Sequence, residues 1–158
     1  MSLSEAGDEA AAELFHVDVS FWRRYGKGWR YDRDREFKVK RSSWIEARVD
    51  VRGVEPGRVY PFPIVWTQPG GRELFRKYAE VVVAPADSVG YVADVVWKKA
   101  EDLGYRKHSR REVPEPGFIL ESSLNISTKR EREPGEYRLR VYLDRRLLLE
   151  EPFTVIGP

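Results

Sequence analysis

Gly135-Glu136-Tyr137-Arg138-Leu139-Arg140-Val141-Tyr142-Leu143, the polar Asp144-Arg145-Arg146, and then Leu147-Leu148-Leu149 and Phe153-Thr154-Val155 decide the fold. Tyr137, Leu139, Val141 and Leu143 alternate with Arg138, Arg140, Tyr142 and Asp144. Period-two alternation on both sides of a short polar turn reads as a β-hairpin with one buried face. On its outer face Arg138 and Arg140 are expected to pair across strands with acidic neighbours such as Glu150.

The same alternation recurs upstream. Phe15, Val17, Val19 and Phe21 alternate with polar residues from His16 to Trp22, and Phe37 with Val39 hints at a short strand. Trp44 to Arg52 is the cleanest half-buried strand, with Ile45, Ala47, Val49 and Val51 on one face. Val59 to Trp66 follows, but Pro61 and Pro63 cannot donate to a ladder, so this strand is expected at an edge or with a bulge. Glu73 to Val83 and Phe118 to Ile126 complete the set. Asp87 to Leu103 carries mixed signals. Asp87-Ser88 resembles an N-cap and Lys98-Lys99 suits a helix C-terminus, whereas Gly90 and the valines favour strand. We read a helix or short helical turn in 87–103, with two more strands as the open alternative, and a basic, proline-ended loop from Tyr105 to Pro116.

These elements predict an all-β, antiparallel two-sheet sandwich of seven to nine strands. Residues 1–13 are expected to be a disordered or helical tail, and 14–158 a single domain. The closing run Gly135 to Asp144, with Leu147-Leu148 and Phe153-Thr154-Val155, resembles the last strand pair of bacterial immunoglobulin-like modules. Asp144-Arg145 stands where Asp-Gly is usual, and the cysteine pair of antibody domains is missing. The resemblance implies an immunoglobulin-like sandwich with accessory, adhesive or scaffolding roles, and it transfers no functional residue.

Composition excludes more than it includes. The 158-residue chain has no cysteine, which removes disulfides, thiol nucleophiles and zinc–cysteine sites together. Lys+Arg 28 against Asp+Glu 26 leaves a net charge of +2, too small to make a polyanion binder by bulk charge. His16 and His108 lie far apart and read as two surface histidines, not as a metal site. No nucleophile elbow or phosphate loop occurs, since Gly26-Lys27-Gly28 is two glycines in a charged turn. The chain is read as non-enzymatic and without a cofactor. No apolar run approaches membrane-spanning length, and Met1 to Glu13 lacks the basic and apolar regions of a signal peptide. As it stands the chain reads as cytoplasmic, or as a domain excised from a cell-envelope protein.

One constellation rises above background. In Phe21-Trp22-Arg23-Arg24-Tyr25-Gly26-Lys27-Gly28-Trp29-Arg30-Tyr31, aromatic and cationic residues interleave. Trp22, Tyr25, Trp29 and Tyr31 offer faces that stack on sugars or bases, while Arg23, Arg24 and Arg30 grip anionic groups. The plainer account is that Phe21 and one tryptophan plug the sandwich end while the arginines pair with Asp32, Asp34 and Glu36. Arg106, Lys107, His108, Arg110 and Arg111 form a weaker basic group. Two functions follow. The first is an interaction module acting by protein–protein contact or domain presentation, with a homodimer through a strand edge among its forms. The second is a glycan- or polyanion-binding module using residues 21–31.

Overall fold

The structure, a computed structural model, describes residues 16–87, 89–98 and 106–158. Among them run eleven strands: β1 (His16–Arg24), β2 (Arg30–Tyr31), β3 (Glu36–Lys38), β4 (Trp44–Arg52), β5 (Val59–Thr67), β6 (Glu73–Pro85), β7 (Tyr91–Lys98), β8 (Arg106–Val113), β9 (Gly117–Asn125), β10 (Gly135–Leu143) and β11 (Arg146–Ile156). They build a four-stranded sheet in the order β2-β1-β4-β9 and a seven-stranded sheet in the order β3-β11-β10-β5-β6-β7-β8. Every pair is antiparallel except β3 with β11. The inward residues of both sheets meet in one core. Phe21, Phe37, Trp66, Tyr137 and Phe153 fill one end, with successive ring centroids 5.1–6.3 Å apart.

The strand order is that of a variable-type immunoglobulin sandwich. β11-β10-β5-β6-β7 follow the G-F-C-C′-C″ series, and β1-β4-β9 follow A-B-E. Two further hallmarks agree. Fully buried Trp66 lies on the C-equivalent strand, and its Nε1 donates to Ser122 Oγ of the opposite sheet at 2.9 Å. Near the start of the F-equivalent strand, Tyr137 donates its hydroxyl hydrogen to the Glu133 carbonyl at 2.7 Å, the tyrosine corner of this fold. Leu139, two residues on, stands where antibody domains carry their second cysteine, and it is fully buried. One position of the blueprint is vacant. The strand after the C″-equivalent, β8, stays paired with β7, so nothing occupies the D place beside β9 among the described residues.

The described part of 87–103, residues 87 and 89–98, contains no helix. Tyr91–Lys98 is a strand paired on both sides, because Ala93 and Val95 face the core and β-branched valines suit the pleat. The apparent cap belongs to a turn closed by Ala86 N donating to Gly90 O, with Gly90 at a φ of 87°. Residues 88 and 99–105 lie outside the described residues, as does the expected tail 1–13. The loop expected from Tyr105 to Pro116 is largely strand β8, whose charges read as loop because it is an edge strand. With these additions the strands number eleven, more than the seven to nine expected.

The hairpin turn explains its own sequence. Of its two central residues only Asp144 takes a positive φ, 53°, which aspartate tolerates better than most residues, so Arg145 need not be glycine. A bulge between Val141 and Tyr142 takes up the remaining register.

Candidate functional site

β1 leaves the core sheet at Arg24 and turns through Gly26-Lys27-Gly28 into β2. The turn needs glycines, since φ is 100° at Gly26 and 75° at Gly28, where a side chain is strained. Beyond β2 the chain crosses to the other sheet and enters β3 beside β11. Residues 21–40 therefore straddle the seam between the sheets.

The aromatic faces in this region are already engaged. Phe21 is fully buried. Trp22 lies half-buried on the outer face of the four-stranded sheet, with the Arg48 guanidinium 3.8 Å from its ring centroid and Tyr31 at its edge at 5.6 Å. Arg48 is itself held by Glu46 at 2.8 Å. Arg24 lies between two indoles, 4.8 Å from the Trp29 ring and 5.5 Å from the Trp44 ring, and its buried Nε has no hydrogen-bond partner. Such cation–π contacts are worth about 0.5–2 kcal/mol each and hold the rings in place. Tyr31 remains exposed. Trp22, Arg24 and Trp29 thus form a packed surface layer and not an open stacking platform.

Arg23, Tyr25 and Arg30 do something different. With Lys27, Gly28, Glu36, Lys38 and Lys40 they line a depression of about 350 Å³. Tyr25 is its pivot. Its hydroxyl accepts from the Lys38 backbone N–H at 3.0 Å, while Lys40 Nζ and the Arg23 guanidinium sit 4.5 and 5.3 Å from its ring centroid. Register places Arg23 directly opposite Arg30 on the neighbouring strand, a like-charge pair of the kind that destabilises a sheet. Of the expected carboxylate partners, Asp32 reaches Arg23 only at 3.9 Å. Lys27, Arg30, Lys38 and Lys40 have no ion pair among the described residues. Glu36 is the single acid of the lining. The basin is a concentration of positive charge on a chain whose net charge is near zero. Lys38 and Lys40 lie outside the aromatic stretch; their alternation with Phe37 and Val39 in the crossing segment is the only trace they left in the sequence.

The second basic group lies elsewhere. Lys107 and Arg111 line a cleft of about 310 Å³ between β8 and β9. His108 and Arg110 are on the opposite face of β8, where His108 Nε2 lies 2.9 Å from Asp94 Oδ1. Residues 21–31 and this group do not share a cavity. No cluster of three or more potential metal ligands occurs among the described residues. No helix of the described residues is long and apolar enough to cross a membrane.

No protein-family model matches the chain, and no curated protein is significantly similar to it. Among solved structures, an immunoglobulin-like protein from Pseudomonas aeruginosa aligns with 90% of this chain and 96% of its own, at 18% identity and a TM-score of 0.47.

Proposed function

We propose that the protein is a non-enzymatic immunoglobulin-like interaction module that binds a polyanionic ligand in the basin formed by Arg23, Tyr25, Lys27, Arg30, Lys38 and Lys40. The observation that carries this reading is the Arg23–Arg30 cross-strand pair beside Lys27, Lys38 and Lys40, which, like Arg30, have no ion pair among the described residues. Like charges held together with few carboxylates, here Asp32 at 3.9 Å from Arg23 and Glu36 in the lining, weaken a fold, and an anionic ligand converts that repulsion into attraction. Arginine forks and lysine ammonium groups around a shallow depression suit sulfate, phosphate or carboxylate groups carried on an extended polymer. Tyr25 fixes the geometry by tying the β1–β2 turn to β3.

Retention on immobilised heparin tests the reading. The wild type is expected to elute well above physiological salt, with retention falling steeply as salt rises. Arg23→Ala/Arg30→Ala/Lys38→Ala should elute at clearly lower salt. Arg58→Ala, in the turn before β5 and outside the basin lining, should elute with the wild type. Equal losses in both variants, or elution of the wild type near physiological salt, overturn the proposal.

A further inference from the structure

The seven-stranded sheet overhangs the four-stranded one. β8 and β9 are joined by Pro114-Glu115-Pro116 at a corner, yet each pairs only with its other neighbour, β8 with β7 and β9 with β4. From that corner they diverge, and the cleft of about 310 Å³ opens between them. Its floor is Ala93, Val95 and Phe118, and along β8 it presents Lys107, Ser109 and Arg111 in alternation. This is the vacant D position of the sandwich.

Edge strands of soluble proteins are ordinarily blunted by lysine, proline or a covering element. β8 is blunted, with Lys107, Arg110 and Arg111 along it. β9, Gly-Phe-Ile-Leu-Glu-Ser-Ser-Leu-Asn, contains no lysine, arginine or proline, and Ile119 is 46% exposed on it. The cleft is also unbalanced in charge. Lys77, Lys107 and Arg111 have no ion pair among the described residues, and they outnumber the two carboxylates of the lining, of which Glu46 is already engaged by Arg48 and Glu121 lies exposed on β9. Partial burial, with the nearby Lys107 ammonium, pushes the Lys77 ammonium below its ordinary value.

We propose that the β8–β9 cleft is a strand-capture site, in which an extended, acidic segment of a partner protein adds to the open edge of β9 and sets its carboxylates against Lys107 and Arg111. Backbone hydrogen bonds to β9 supply the affinity, and the alternating cations of β8 supply the preference for acidic residues at every second position. A second copy of this chain fits less well. Two-fold antiparallel pairing of β9 centred on its middle residue places Glu121 against Glu121 of the other copy.

The test is amide hydrogen exchange with a blocked (Thr-Glu)4 peptide and a (Thr-Lys)4 control. The acidic peptide should slow exchange within 118–123, and the basic one should not. Lys107→Glu/Arg111→Glu, which alters only exposed β8 side chains, should weaken acidic-peptide binding roughly tenfold or more while leaving circular dichroism unchanged. The proposal is overturned if binding occurs without protection of β9, if both peptides protect equally, or if the double variant binds as the wild type does. Protection that rises with protein concentration alone, in the absence of peptide, also overturns it in favour of a homodimer. Heparin retention reads the basin separately, so failure of either proposal leaves the other standing.

Discussion

Tyr137 anchors the corner before β10, and one hydroxyl does that work. Burial pushes its phenol above the ordinary range and keeps the donor proton in place. Tyr137→Phe keeps the ring stacked on Phe153 but leaves the Glu133 carbonyl without this donor. We expect it to cost about 1–3 kcal/mol, read from the urea midpoint with an unchanged m-value. The like-charge pair predicts a change of opposite sign. Arg30→Gln removes the repulsion across from Arg23, so it should stabilise the ligand-free protein by about 0.2–1 kcal/mol while weakening heparin retention. A gain in stability coupled to a loss of binding marks a residue kept for a ligand. At this scale the sequence showed which residue types interleave, but not which ring each cation covers. Arg48 caps Trp22, and Arg24 enters between Trp29 and Trp44, only because sheet register sets those neighbours.

Among the elements, the closing hairpin carries a titratable lock. Arg138 and Arg140 both bond Glu150, and these bonds hold its carboxyl below the usual carboxylate value of 4.5. A carboxylate depressed on folding contributes stability above its unfolded pKa, and that contribution disappears as pH falls through the folded one. Glu150→Gln should therefore be less stable than the wild type at neutral pH, with the difference closing on acidification below about 4. Denaturant titrations at pH 7 and pH 3 check this. The union of β4 and β9 is tight enough to forbid a methyl group. A Cβ at Gly117 meets the Val51 carbonyl oxygen at 2.5 Å, so Gly117→Ala should cost about 1–3 kcal/mol in thermal or urea unfolding. Elements with one wet and one dry face were legible. Trp44–Arg52 has the bounds its alternation implied, and the hairpin pairs as read. β5 was half legible: it is central and not an edge, it carries the expected irregularity, between Trp66 and Thr67, and Pro61 and Pro63 lie outside the segment paired with β10, which spans Ile64 to Thr67. β8 was misread because it is a charged edge strand with little alternation to detect, and β7 because valines stand on both its faces, Val92 and Val96 outside and Val95 in the core, which blurs the period.

For the molecule as a whole, charge placement matters more than charge total. A net charge of +2 concealed two separate basic concavities, one at the seam between the sheets and one in the vacant strand position. Neither was readable as a cavity: the basin, although its lining runs only from Arg23 to Lys40, forms because β3 crosses to the other sheet, and the cleft draws on β4, β6, β7, β8 and β9, which are spread along the chain. The architecture itself was readable, since eight of its strands arise from local patterns that any sandwich repeats: β1, β3, β4, β5, β6, β9, β10 and β11. The crossing of the chain from one sheet to the other has a mechanical side. Arg23 and Arg30 belong to one sheet, and Glu36 and Lys38 to the other. The basin is a charged joint: cations on both lips repel one another, and the bond from the Lys38 N–H to the Tyr25 hydroxyl holds the joint closed. On the proposed reading, an anion would draw the same lips inward, and the cargo would become a latch that stiffens this end of the sandwich.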